Sequence, residues 1–350
     1  MRLRSLVLCC SLLWLGGCST LGYLNHTWQG QREVMRLSVP VTEILADQDV
    51  DPVLKTRLAL ALQARRFASE QLRLPANASY TAYTALPRPY VLWNLFVTPP
   101  LSMEPQQHCY PLAGCIAYKG YFDQQLAEQA ASQWREQGMD VYMAGIPAYS
   151  TLGWYDDPLL SSMLHWSDDY VAGLIFHELA HQQFYVRNDT AFNESFASFV
   201  EQQGLRQWRQ ERNLPSPDIN IEQQRREFVE LMLQARADLT ELFASQLPSD
   251  QQLAAKAARF QQLQSDYQHW RDQHWAGSPR YDGFFTEPLS NAHLLPFGLY
   301  DQWVPAFAML FEQSGKDWPV FYSAVRQLGR LSPERREAAL HALQLASEKL

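Results

Sequence analysis

The chain has 350 residues, 47% of them hydrophobic, with 37 acidic and 29 basic side chains and a formal net charge of -8. This length and apolar content suffice to bury a large core, which excludes a disordered chain and leaves room for one large domain or two subdomains. The acidic excess is spread without long single-sign runs, which excludes a nucleic-acid surface and makes the charge a matter of solubility.

The chain begins with a targeting segment, set aside before any fold reasoning. Arg2 and Arg4 supply a positive start, and Leu6 to Leu15 form an apolar stretch too short to span a bilayer comfortably. Leu15-Gly16-Gly17-Cys18 follows and resembles a bacterial lipobox, in which the cysteine becomes the lipidated first residue of the mature protein. With Ser19 rather than Asp behind it, the motif implies removal of residues 1–17 as a signal peptide. It also implies an outer-membrane lipoprotein of a Gram-negative bacterium, facing the periplasm and anchored through Cys18. The blander alternative is an ordinary secretory cleavage site with a bystander cysteine. No later segment offers the run of about 18 apolar residues that a membrane span needs. In an oxidising periplasm, Cys109 and Cys115 read as a short disulfide around Pro111-Leu112-Ala113-Gly114, against the alternative of two free buried thiols.

In chain order, helical periodicity covers 28–47 and 51–73. From 79 to 122, aromatic and β-branched runs broken by proline predict two or three strands, at Tyr90 to Val97 and Cys115 to Phe122. A helix at 123–138 ends near Gly138, and Asp140 to Ala144 and Tyr149 to Leu152 read as further short strands. Ser167 is a suitable N-cap, with Asp168 and Asp169 in the first turn, so a helix is expected from about 168 to Val186. The turn Arg187-Asn188-Asp189-Thr190 leads to a second helix from Phe192 to Arg212. Residues 219–246 and 249–275 read as a long helical hairpin acting as a solvated scaffold or lid. The tract 276–302 reads as an aromatic loop, and the last fifty residues return to helix, with Ser332 and Pro333 in cap and first-turn positions. The expectation is one domain over 18–350. Residues 18–166 form a helical and sheet part, and 167–350 a mainly helical part that carries the chemistry.

That chemistry centres on His177-Glu178-Leu179-Ala180-His181. On a helix, residues four apart share a face one turn apart, so both imidazoles can reach one tetrahedral zinc. Glu178 lies about 100° around the helix, placed to act as general base on water whose pKa the zinc lowers to about 7. An HExxH sequence arises by chance on the order of once per hundred such chains, so its apolar helical setting of Leu174, Ile175, Phe176, Leu179 and Ala180 matters. A catalytic zinc takes three protein ligands and keeps one position open. Glu194 is the candidate third ligand, the alternative being an ordinary carboxylate at a helix N-terminus. Glu201, two turns on, is a fallback ligand or an acceptor for a histidine N–H. Asp189 is a second such acceptor or an Asx-turn residue.

The helix, motif, turn and Asn193-Glu194-Ser195-Phe196-Ala197 together resemble the gluzincin metallopeptidases. The pentapeptide is similar to the Asn-Glu-Gly-Phe-Ala of aminopeptidase N-like enzymes, whose zinc-binding glutamate aligns with Glu194. Twelve residues separate His181 from Glu194, a shorter spacing than in those families. A closer resemblance, over most of the mature chain, is to a bacterial family of predicted aminopeptidases. It is carried by Gly114-Cys115 with Tyr118-x-Gly120-Tyr121-Phe122, Ala148 to Trp154 with Asp157-Pro158, the motif helix, and Asp189-Thr190 with the Asn-Glu pentapeptide.

These resemblances imply an α+β fold with a zincin-like core, a small mixed sheet plus the HExxH helix, and extensive helical elaborations. They imply one bound zinc and a peptide substrate. Zincins place an edge strand above the motif helix to bind substrate by β-addition, and Ala148 to Leu152 is the candidate, an ordinary core strand being the alternative. A donor for the tetrahedral oxyanion is also needed, with Tyr300 the first choice and His293 and Tyr281 behind it. No Gly-x-Met-Glu-Asn motif is present to hold a substrate ammonium, a role open to Asp156 or Asp157. The rival from another class is a non-catalytic envelope lipoprotein with a closed four-ligand zinc site, completed by Glu201 or His165.

Overall fold

A computed structural model describes residues 22–110, 114–215 and 219–347; Cys18 and the targeting segment lie outside the described residues. The architecture is mixed α and β, mostly helical with small sheets. Residues 22–36 form α1. After it come β1 (Ser38–Pro40), α2 (Val41–Ala46) and α3 (Pro52–Glu70). The single helix expected at 28–47 is therefore broken. Pro40 disfavours helix at the residue before it, and β1 pairs antiparallel with β2 (Ala82–Thr84). α3 starts where the Asp51 side chain accepts from the Val53 amide and Pro52 fills the first turn.

β3 (Leu92–Thr98) is the middle strand of an antiparallel sheet, between β6 (Lys119–Tyr121) and β7 (Asp140–Ile146). It is buried on both faces, so its apolar residues do not alternate with polar ones, Asn94 and Thr98 being buried exceptions. On one face Trp93, Leu95 and Val97 pack on Ala127 and Ala131 of α4 (Gln124–Glu136). On the other, Phe96 meets Tyr118 and Tyr142. Between β3 and β6, β4 (His108–Tyr110) and β5 (Gly114–Ile116) form a hairpin joined by the Cys109–Cys115 disulfide.

The strand expected at Tyr149 to Leu152 is absent, and with it the proposed substrate-binding edge. Leu152 has φ of 56° and Gly153 of 81°, a left-handed pair that no strand tolerates. The Thr151 amide donates to Asp157 Oδ2 at 2.9 Å and the Leu152 amide to Ser150 Oγ at 3.0 Å. The chain instead makes β8 (Leu159–Leu160), parallel to β2.

The remainder is helical: α5 (Asp168–Gln183), α6 (Thr190–Glu211), α7 (Ile219–Ala244), α8 (Ser249–His274), α9 (Asn291–Tyr300), α10 (Val304–Gln313), α11 (Trp318–Gly329) and α12 (Pro333–Ser347). The largest core gathers α3, α5, α6 and α10 to α12, with Phe176, Phe192, Phe196, Phe307 and Phe321 fully buried. Each such side chain contributes about 1.5–3 kcal/mol. α5 and α6 approach closely because Gly204 has no side chain. A Cβ there would lie 2.7 Å from Leu72 Cδ1 and 2.9 Å from Phe176 Cδ2.

Two expectations for this half need correction. The α7–α8 hairpin is more than a solvated scaffold: Phe228, Met232, Leu239, Leu263 and Tyr267 build a second core with Leu294 and Leu295 of α9. The loop expected at 276–302 contains α9, which Pro296 disguises in the sequence. Ser290 and His293 cap its start reciprocally, and the Asn291 side chain donates to the carbonyls of Pro100 and Ser102. Among the described residues, no helix is long and apolar enough to cross a membrane.

Candidate metal centre

α5 begins at Ser167, whose side chain accepts from the Tyr170 amide, and ends where Phe184 turns to extended backbone. The turn that follows is tied by one side chain. Asn193 accepts from the Val186 amide at 2.8 Å and donates to the Val186 carbonyl at 2.7 Å. This two-way bond folds the short connection back so that the next residue, Glu194, faces α5. Asn193 was missed as a site-building residue, although it stands beside Glu194 in the motif. Asp189 starts α6 by accepting from the Phe192 amide at 3.0 Å, and its other oxygen takes Arg336 Nε and Nη2, each at 2.7 Å. Asp189 is thus a cap and the anchor of a buried arginine; the acceptor role for a ligating histidine goes elsewhere.

His177, His181 and Glu194 bring their ligand atoms within 4.8 Å of one another. Glu194 Oε2 lies 3.4 Å from His177 Nε2 and 3.3 Å from His181 Nε2, and all three residues are buried. A tetrahedral centre with bonds of about 2.0 Å has donor-to-donor edges of about 3.3 Å, and the two edges from Glu194 match that spacing. Glu201 Oε2 lies 3.1 Å from His177 Nδ1, on the far side of the ring from the cluster. A carboxylate there holds the proton on Nδ1 and leaves the Nε2 lone pair free, the tautomer a ligand needs. The fallback reading of Glu201 as a ligand is therefore corrected to the acceptor reading. His181 Nδ1 is buried with no partner among the described residues.

Glu178 is buried beside the cluster, and burial pushes its carboxyl up to about 7 despite the two histidines, with Glu194 and Asp157 adding to the rise. For Glu194, the neighbouring imidazoles and their hydrogen bonds outweigh burial and hold the carboxyl well below the usual range. Tyr300, at the end of α9, lays its ring against His177, with centroids 6.1 Å apart and planes 24° apart. Tyr118 donates to Glu194 Oε1 at 3.0 Å. Burial, and then Glu194, keep both phenols protonated and so able to donate.

Several candidates lie elsewhere. Tyr281 stacks on Phe228 at 3.9 Å within the second core, and His293 caps α9 while its ring lies tilted against Tyr142 with centroids 4.6 Å apart. Both are packing residues, corrected from their place behind Tyr300. Asp156 and His165 are exposed. Asp157 is buried; its Oδ2 accepts from the Thr151 amide and the Gln182 side chain, which bind it to the loop and to α5, while its Oδ1 is buried with no partner among the described residues.

A helix carrying two histidines and an adjacent glutamate, met by a carboxylate from the next helix, defines a three-donor cluster suited to one divalent metal. The family model described as "Putative aminopeptidase" matches residues 22–340, and the chain belongs to that family. No curated protein and no solved structure matches it.

Proposed function

We propose that the protein is a zinc-dependent peptidase of gluzincin type, acting as an aminopeptidase on peptides in the bacterial envelope. The observation that carries this reading is the convergence of His177 Nε2, His181 Nε2 and Glu194 Oε2, at 3.3 and 3.4 Å, beside the buried Glu178. On this reading α5, α6 and the β6–β3–β7 sheet are a zincin-like core, and the remaining helices elaborate it. Three donors, with Glu201 on the outer nitrogen of His177 and His165 exposed, support a catalytic site over a closed structural one.

His177, His181 and Glu194 would hold the zinc, which would supply Lewis acidity to a water and to the scissile carbonyl. Glu178, with its carboxyl near 7, takes a proton from the attacking water and returns it to the departing amine. The Tyr300 hydroxyl, kept protonated, donates to the oxygen that gains charge as the carbonyl carbon becomes tetrahedral. Glu201 keeps His177 in its ligating tautomer. Attachment to the outer membrane through Cys18 completes the proposal, and the Cys109–Cys115 disulfide suits an oxidising periplasm. A panel of aminoacyl and N-blocked peptides offered to the mature protein tests the specificity. Turnover of the unblocked set alone is expected, and equal cleavage of blocked peptides would make it an endopeptidase.

A further inference from the structure

A carboxylate ligand has two oxygens, and what becomes of the second decides whether it takes one coordination position or two. In this protein the second oxygen of Glu194 is already engaged. Oε2 faces the two histidine nitrogens at 3.4 and 3.3 Å, while Oε1 accepts the Tyr118 hydroxyl at 3.0 Å. Tyr118 sits in the bend between β5 and β6, far from α6 in sequence, and three features fix its place. Its ring packs on Phe96, with centroids 5.4 Å apart. The preceding hairpin is closed by Cys109–Cys115. Two amides of the same segment reach the turn just before Glu194: Cys115 N donates to Asn188 Oδ1 at 2.7 Å and Ala117 N to Thr190 Oγ1 at 3.3 Å. These contacts tie the Tyr118 segment to the start of α6, beside Glu194.

Resting on the zinc reading above, we propose that Tyr118 is the positioning residue for Glu194: its hydroxyl turns Oε1 away so that the glutamate ligates through Oε2 alone. A glutamate held by one oxygen leaves the fourth position of the centre to water and substrate; one free to chelate would crowd it. A packing role for the ring alone would be met equally by phenylalanine.

Tyr118→Phe deletes only the hydroxyl. Zinc affinity is read by competition with a chromophoric chelator, and coordination by the visible spectrum of the cobalt-loaded protein. The expected result is zinc binding weaker by about tenfold to a hundredfold. The cobalt bands should lose intensity as Glu194 chelates, with the melting temperature of the metal-free protein unchanged. Equal affinity and an unchanged cobalt spectrum would overturn the inference while leaving the zinc reading intact. A wild-type protein that takes up neither metal would overturn both. The wild type carries an independent check should the variant fold poorly. The infrared difference between zinc-loaded and metal-free protein should show the widely split carboxylate stretches of a one-oxygen ligand, and the narrow splitting of a chelating carboxylate would overturn the inference.

Discussion

Glu178 and Asp157 are two buried carboxyls on the same side of α5, both raised by burial, with opposite consequences. Glu178 stands next to His177, a proposed ligand, and is proposed to move a proton. Glu178→Gln keeps the shape and the donors of the cluster, so it is expected to bind zinc as the wild type does. Its turnover should fall on the order of 10²- to 10⁴-fold, as for loss of a general base. Steady-state kinetics on zinc-loaded protein measure this, and retained turnover would remove Glu178 as the base. Asp157 is structural: burial lifts its carboxyl from 3.8 to about 6, and the bonds from Thr151 and Gln182 only partly offset that. Its folded state holds the proton more tightly than the unfolded state, so the stabilisation is complete below about pH 4 and is lost as pH rises through about 6. Asp157→Asn carries no such loss. Its stability relative to wild type should therefore climb between pH 4 and 6 and level off above, as read from denaturant melts; a flat difference would contradict the assignment.

At the scale of elements, the motif helix was legible because three signals agreed: the Ser167 cap, the acidic first turn and the apolar surroundings of the histidines. α4 and β3 were legible for similar reasons. What the sequence hid depends on contacts between distant segments. α9 is hidden by Pro296, and only its capping by Ser290 and His293 and the anchoring of Asn291 make it a helix. The loop after β7 keeps strand-like residues, yet Asp157 and Ser150 draw its amides into a turn. The short spacing to Glu194 works because Asn193 pins Val186, a bond no pattern along the chain announces. The β4–β5 hairpin is the element whose loss should be felt furthest. Replacing Cys109 and Cys115 by serine removes a closed loop of six to seven residues, which corresponds to about 2 kcal/mol in the chain-entropy account. Because this hairpin leads into Tyr118, zinc affinity should fall together with the melting temperature. Destabilisation without any change in affinity would separate the hairpin from the metal centre.

Over the whole molecule, the candidate site draws on both large cores. α5 and α6 bring the histidines, Glu178 and Glu194 from the largest core, and α9 brings Tyr300 from the second. The sheet contributes Tyr118 through the bend before β6. Ala191, one turn before Glu194, packs against both cores. This division explains how the sequence could point to the three proposed ligands, which lie within one stretch of helix, turn and helix. It also explains why Tyr118 escaped, being recruited from the sheet 76 residues before Glu194, whereas Tyr300 and Glu201 were named from the sequence. The central claim is that hydrolysis depends on one metal held by His177, His181 and Glu194. Its most direct test is stepwise zinc titration of chelator-stripped protein, following cleavage of an unblocked aminoacyl substrate. Activity should rise from near zero and reach its plateau at about one zinc per chain, whereas full activity in the stripped protein would contradict the claim.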